Sequence, residues 1–199
     1  AGALSVSVNG SLTVKHTTNN AAVSGSSFTG GFIGYMEKVN QQTVISFEDC
    51  VNNGNVTGSD DDVGGFVGYI SQNTNVTLTI SNSINNGNVT GSGQYIGGFV
   101  GLIRGSTNIT TIISNSINDG NVTGGSNVGG FIGCIQDNTN MTVTISNLTN
   151  SGIVTGDGSV GGLVGYIDDN TNMTMTVSNV INNGFVIGTS NSVGGLVGQ

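Results

Sequence analysis

The chain has 199 residues, of which 35 are glycine and only 7% are charged, and its net charge at pH 7 is −8. Its three basic residues, Lys15, Lys38 and Arg104, cannot build the positive surface that nucleic-acid binding needs, which excludes that class of protein. No apolar run approaches the roughly 18 residues of a membrane-spanning helix, so we predict no membrane span. The start at Ala1 lacks a basic segment, so we expect any signal peptide to have been removed.

The first segment alternates between apolar and polar side chains on both sides of Asn9-Gly10. Such alternation around Asn-Gly predicts an antiparallel β-hairpin with a type I′ turn. We assign residues 1–18 to this hairpin and a partial first coil. One hairpin strand is a candidate for pairing with a neighbouring subunit.

A five-residue motif, Gly-Gly-Phe-Val-Gly with Leu or Ile variants, occurs six times in the rest of the chain. Its copies start 34, 33, 32, 32 and 33 residues apart, and a fixed period in this range indicates a repeat architecture. We therefore treat residues 19–199 as a single repeat domain. The copies begin at Gly30, Gly64, Gly97, Gly129, Gly161 and Gly194.

Each repeat contains a long alternating segment such as residues 76–84, a turn at Asn85-Asn86-Gly87, a short segment around Val89, and the motif. Period-two alternation with β-branched residues predicts strands, and such short strands bury an apolar face only if the repeats stack. We predict an all-β fold, a β-solenoid (parallel β-helix) of about six coils with roughly 33 residues each. The alternative is closure into a six-bladed propeller, although propeller blades typically need about 40 residues.

Stacking would turn each repeat position into a column of like residues. The first asparagine of this turn occurs in all six repeats, and stacked asparagines can form hydrogen-bonded ladders. We predict a structural ladder of Asn19, Asn52, Asn85, Asn118, Asn150 and Asn182. The Gly87 column suits a turn with positive φ. In the alternating strand, Asn82 and Asn147 occupy positions that alternation assigns to the buried face. This predicts either a buried asparagine ladder or a bend in the strand at these positions.

The motif strand is apolar on both faces, so we expect its second face to be covered or to form an interaction surface. That face would carry the row Tyr35, Tyr69, Leu102, Cys134 and Tyr166. Cys134 and Cys50 would lie about three coils apart, near 14 Å at about 4.8 Å per coil. This exceeds the roughly 7 Å that a disulfide can span, so we predict two free, buried thiols.

The sequence shows no recognisable arrangement of catalytic residues. With His16 as the single histidine, we find no nucleophile beside a base, so we predict no enzyme, no cofactor and no metal site. The acidic runs 60–62 and 168–169 could supply paired carboxylates for glycoside cleavage or oxygen ligands for Ca²⁺. Both runs fall in predicted loops, where acids usually face water. A carbohydrate-active β-helix enzyme is therefore the third interpretation.

N-glycosylation motifs are frequent, and most of them share two columns that we expect to face outward. The candidate sites are Asn55, Asn88 and Asn121 in one column, and Asn75, Asn108, Asn140 and Asn172 in the other. Asn147 carries the same motif, but its alternation phase points inward, so we expect it to be bare. If the source is a eukaryote, we predict N-glycans on these two columns.

The two ends of the repeat array are complementary, since the start of one chain could continue the end of another. Unpaired ends of a solenoid invite pairing. We therefore expect head-to-tail assembly with copies of the same chain into an open filament, or else a fragment of a longer array. The assembly candidates are Leu4, Val6, Val8, Leu12, Val14, Leu196 and Val197.

The Gly-Gly-Leu-Val-Gly motif, preceded by Asn-Gly-Asn-Val-Thr-Gly, resembles the GLUG-motif repeat of large secreted and surface proteins, including bacterial adhesins. The likeness covers residues 19–198, with Phe in place of Leu at Phe32, Phe66, Phe99 and Phe131. It implies an extracellular or cell-surface β-solenoid with structural or adhesive duty, and it carries over no catalytic residue. The leading interpretation is a fibre-building structural protein. The alternative is an adhesin segment that binds glycans or a cell surface.

Overall fold

The computed structural model describes residues 5–6, 10–37, 42–189 and 192–199. Every regular element in these ranges is a β-strand. The chain winds through about five turns of about 33 residues, which place six levels on top of one another. The predicted β-solenoid is confirmed, and the structure does not show the propeller alternative.

The strands are numbered in chain order. Strand β1 is Ser5–Val6 and precedes the first level. The first level contains β2 (Leu12–Lys15), β3 (Thr18–Asn19), β4 (Val23–Gly25), β5 (Thr29–Gly30) and β6 (Ile33–Glu37). The second contains β7 (Thr43–Glu48), β8 (Val51–Asn52), β9 (Val56–Gly58), β10 (Val63–Gly64) and β11 (Val67–Ser71). The third contains β12 (Val76–Ser81), β13 (Ile84–Asn85), β14 (Val89–Gly91), β15 (Gln94–Gly97) and β16 (Val100–Arg104).

The upper levels repeat this order with small changes. The fourth contains β17 (Thr110–Ser114), β18 (Ile117–Asn118), β19 (Val122–Thr123), β20 (Ser126–Gly129) and β21 (Ile132–Gln136). In the fifth, the long and short strands merge, giving β22 (Thr142–Asn150), β23 (Val154–Gly156), β24 (Val160–Gly161) and β25 (Val164–Asp168). The sixth contains β26 (Thr174–Asn182), β27 (Val186–Gly188) and β28 (Val193–Gly194).

Four parallel sheets run along the stack, because each strand pairs with the equivalent strand one level away. Val89, for example, pairs with Val56 on one side and Val122 on the other. This shared register puts like residues directly over one another. It is the physical basis of every column described below.

The N-terminal hairpin prediction is wrong for the strands that the structure describes. β1 pairs in parallel with β6, while β2 pairs in parallel with β7 in a different sheet. The Asn9 of the predicted turn lies outside the described residues, as do Leu4 and Val8. Both strands thus take part in the same parallel stacking as the rest of the chain.

Two apolar cores fill the solenoid. The larger contains a file of phenylalanines, with ring centroids 4.6 Å apart for Phe66 and Phe99 and 4.8 Å apart for Phe99 and Phe131. The smaller consists of valines and Ile96 between the β4-to-β27 sheet and the β5-to-β28 sheet. Stacking thus gives each level a partner above and below for its apolar side chains, which no single level could bury alone.

Both cysteines are free and buried, as predicted, with Cys50 in the larger core. Burial raises the pKa of the Cys134 thiol to about 12. Across the described ranges, no helix is long and apolar enough to cross a membrane.

Candidate functional site

The most regular polar feature is a chain of asparagine side chains inside the stack, which we call the buried ladder. In it, Asn85 Nδ2 donates to Asn118 Oδ1 at 2.8 Å and also to the Gly87 carbonyl at 2.9 Å. The same pair of bonds recurs at Asn52, Asn118 and Asn150. All six asparagines of the predicted ladder are joined in this way, Asn19 and Asn182 being its half-buried ends.

Glycines surround the buried ladder because backbones approach one another closely there. A Cβ on Gly65 would lie 2.1 Å from the Gly98 carbonyl oxygen and 2.8 Å from Asn85 Oδ1. A Cβ on Gly87 would lie 2.0 Å from the Gly54 oxygen. Gly87 has no positive φ, so that prediction was wrong. The glycine is needed for close stacking of successive turns, not for a left-handed turn.

A second chain of asparagines, which we call the exposed ladder, runs up the outside of the stack. It consists of Asn75, Asn108, Asn140 and Asn172, all exposed and all with φ between 53° and 58°. Asn108, Asn140 and Asn172 each donate from Nδ2 to the Oδ1 of the asparagine one level earlier, at 2.9–3.1 Å. A shallow groove of about 350 Å³ lies beside it, lined by Gln42, Asn75, Thr77 and Asn108.

The other glycosylation column, Asn55, Asn88 and Asn121, is also exposed. Here the side-chain oxygen accepts from the backbone N–H one level above, at 3.0 Å for Asn88 N–H to Asn55 Oδ1. Nδ2, the atom to which a glycan attaches, has no hydrogen-bond partner in the described part of the chain. The two candidate glycosylation columns therefore differ in whether Nδ2 already forms a hydrogen bond within the protein. It does at Asn108, Asn140 and Asn172, and it does not in the Asn55 column.

The column of Asn82, Asn115, Asn147 and Asn179 faces solvent, which resolves the two interpretations in favour of a bend. All four residues have φ between 49° and 54°, and this left-handed backbone turns their side chains outward. Asn147 is therefore exposed, contrary to the expected inward orientation. It donates to Asn115 Oδ1 at 2.8 Å.

The predicted apolar row on the motif strand is covered from within the same chain. Phe28 stacks between Tyr35 and Tyr69, with ring centroids 4.7 and 5.1 Å away, and Leu102 and Cys134 are buried. The residues that cover the row all have left-handed backbone with positive φ. They are Phe28, Asp62, Tyr95 and Asn127. Most of the row is therefore unavailable as an interaction surface.

Asp62 belongs to this covering column, and the solvated loop carboxylate expected from the sequence is instead 6% exposed. Its Oδ1 is buried without a hydrogen-bond partner among the described residues. Burial, helped by the negative charge of Asp61 and opposed by Arg104, raises the pKa of Asp62 to about 7. Asp60, Asp168 and Asp169 are exposed, as expected for turn acids.

No cluster of three or more metal-ligating side chains occurs within the described residues. His16 lies 3.3 Å from Asp49 on the surface, and both belong to the outward-turned column. Of the assembly candidates, Leu12 and Val14 pack at the edge of the larger core, whereas Leu196 and Val197 are exposed. Val6 lies on β1.

A regular array of side-chain hydroxyls was not anticipated from the sequence. The outward positions of the four long strands β12, β17, β22 and β26 are in register and are all exposed or half-buried. We call the array the hydroxyl lattice. It consists of Thr77, Thr79 and Ser81, then Thr110, Ile112 and Ser114, then Thr142, Thr144 and Ser146, and then Thr174, Thr176 and Ser178. The signal was present as Thr-x-Thr-x-Ser at matching repeat positions.

The geometry thus combines a buried polar axis, two exposed asparagine columns and a hydroxyl lattice on a repeat scaffold. The resemblance to GLUG-motif repeats stays a prediction. Comparisons with protein-family models, curated proteins and solved structures found no significant match to this chain.

Proposed function

We propose that this protein is an extracellular or cell-surface structural β-solenoid that lengthens by stacking one copy on another, end to end. The observation that carries the proposal is the face of the sixth level. Positions that are buried on inner levels are exposed there. Val177 is 41% exposed, Leu196 42% and Val193 44%. Burying such side chains under another level is favourable by about 25 cal/mol per Å² of apolar surface.

The buried ladder supports a head-to-tail arrangement because it has a direction. Every Nδ2 donates toward the next level, from Asn19 to Asn52 and onward to Asn182. The Asn182 amide would therefore face the Asn19 side chain of a second copy stacked above it. Like strands would also meet in parallel, and a contact of this kind repeats without closing.

Electron microscopy and light scattering of the purified chain over a range of concentrations test the proposal. We expect filaments whose length grows with concentration. Val193→Glu should abolish them, because stacking would bury an unpaired charge. Ile187→Glu is the matched control, since Ile187 is 48% exposed on the same level but lies in the outward Thr155 column. A wild type that stays monomeric throughout would contradict the proposal.

Placement outside the cell is supported by the exposed asparagine columns. Asn55, Asn88 and Asn121 present an unbonded Nδ2, while Nδ2 of Asn108, Asn140 and Asn172 is already engaged. Secretion from a eukaryotic host and site mapping by mass spectrometry should find glycans mainly on the Asn55 column. Because levels are about 4.8 Å apart, we expect neighbouring sites to compete. Absence of any glycan would remove this support.

A further inference from the structure

The hydroxyl lattice is periodic in two dimensions. Parallel strands lie about 4.8 Å apart, and outward side chains on one strand recur every two residues, or about 6.6 Å. The identical pairing of β12, β17, β22 and β26 repeats both spacings without a shift. Eleven of the twelve positions carry a hydroxyl, and the exception is Ile112.

The hydroxyls of the lattice are free to bind something outside the protein. None of the eleven exchanges a hydrogen bond with another protein group in the described chain, and each can both donate and accept. Seven are threonines, whose branched Cβ restricts χ1 and fixes the hydroxyl positions. The lattice is therefore arranged before any ligand arrives, which reduces the entropy cost of binding.

The lattice and its borders are uncharged. The exposed ladder flanks it on one side, and the Asn82, Asn115, Asn147 and Asn179 column flanks it on the other. Charges in these columns occur only on the first two levels, where Lys15 pairs with Glu48 and His16 lies by Asp49. An ionic ligand therefore finds no charged partner in these columns on the four upper levels.

We propose that the hydroxyl lattice is an ice-binding surface. A neutral ligand that exchanges hydrogen bonds at two regular spacings must itself be a two-dimensional lattice, and the oxygen layers of ice are one. A single small molecule would use only one or two hydroxyls. A sugar polymer would be expected to stack on aromatic rings, and none of the twelve positions is aromatic.

Many weak hydrogen bonds acting together would hold the protein on the ice crystal. Each hydroxyl hydrogen bond contributes little net free energy, because it replaces a bond to liquid water, so one or two of them would not retain the protein on ice. Eleven in register add up, and the exposed amides of the two flanking columns extend the same surface. Filament formation is not required, so this inference stands apart from the proposed function.

The test is an assay of ice recrystallisation at micromolar protein, together with partition of the labelled chain into a slowly growing ice shell. We expect the wild type to slow recrystallisation and to enter the ice. Thr144→Tyr, near the centre of the lattice, should lower the activity at least tenfold because the ring holds the crystal away. Thr90→Tyr is the matched control, as Thr90 is exposed on a different sheet, and it should leave the activity unchanged.

Ile112→Thr adds a second, independent arm, since it completes the lattice and should increase the activity severalfold. Circular dichroism and thermal melting verify that each variant is folded. A wild type that partitions like serum albumin overturns the proposal, and so does full activity of Thr144→Tyr. Binding to crystalline cellulose or chitin without binding to ice would also overturn it, and would assign the lattice to a polysaccharide.

Discussion

The buried ladder and the exposed ladder use the same residue type at the same spacing, yet they differ in bonding. Asn85 in the buried ladder donates twice, to a carbonyl and to the next asparagine. Asn108 in the exposed ladder donates once, and water can replace that bond. A buried amide must satisfy its hydrogen-bonding groups within the protein, whereas an exposed amide need not. Repetition alone therefore does not show that a column stabilises the fold.

The largest loss of stability should come from a substitution that places an added side chain against the buried ladder. A Cβ on Gly98 would lie 2.1 Å from the Gly130 oxygen and 2.7 Å from Asn118 Oδ1. Because backbone atoms cannot move aside without separating two levels, we expect Gly98→Ala to cost more than about 4 kcal/mol. Urea unfolding measures the loss. Gly105→Ala, with nothing within 4 Å of its Cβ but a φ of 61°, is the control for backbone strain alone.

Removing one member of the buried ladder should have the next largest effect. Asn118→Ala leaves the Gly120 carbonyl and Asn150 Oδ1 without their donor. We expect a loss of about 2–3 kcal/mol in unfolding free energy, the cost of buried polar groups without partners. Asn86→Ala is the control, because its bond to Asn53 is exposed. Equal losses for the two variants would refute the distinction between buried and exposed asparagines.

Asp62 extends the comparison to a buried carboxylate whose Oδ1 has no hydrogen-bond partner among the described residues. Its folded pKa of about 7 exceeds the ordinary aspartate value of 3.8, so the folded protein holds the proton more tightly than the unfolded chain does. The contribution of Asp62 to stability is therefore greatest below about pH 4, falls as the pH rises to about 7, and is level beyond that. We expect a loss of about 1–2 kcal/mol across this window, because the turn at residues 60–62 can relax into water.

The groups that act on Asp62 are Asp60, Asp61 and Arg104, and it lies near Tyr35, Tyr95 and Cys134. Asp62→Asn keeps a residue suited to the left-handed backbone and removes the titration. Its stability should not vary over this pH range beyond what other groups cause. Urea unfolding of both proteins at several pH values is the measurement, and parallel curves would count against the assignment.

The smallest effect should come from the exposed ladder. Asn108→Gly removes the side chain but suits the φ of 53°, so we expect a change within about 0.5 kcal/mol. Asn108→Ala should cost about 1 kcal/mol more, because alanine is strained in this conformation. If Asn108→Gly instead matched Asn118→Ala in thermal and urea unfolding, the exposed ladder would be structural after all.

The sequence predicted the stacked architecture because a repeated unit with one apolar face has few other ways to bury it. The Phe66 file and the Asn85 column follow from register alone. The alternation of apolar and polar residues did not give the side-chain direction at Asn82 and Asn147. The left-handed backbone of each residue turns its side chain to the outer face. The prediction from sequence also failed at Asp62, which is 6% exposed although its place in an acidic loop predicts a solvated carboxylate. Pairing of β1 depends on a partner 30 residues away, which the local Asn9-Gly10 signal does not reveal.

Each level touches only the levels directly above and below it, and this has a consequence for folding. Stability in such a stack is approximately a sum of contributions from each level and from each interface between levels. A level that is loosened should therefore weaken mainly the two levels that contact it, so that unfolding spreads along the stack one level at a time. A substitution that loosens one level should then speed amide hydrogen exchange most at that level and progressively less at more distant levels, a gradient of protection along a single chain.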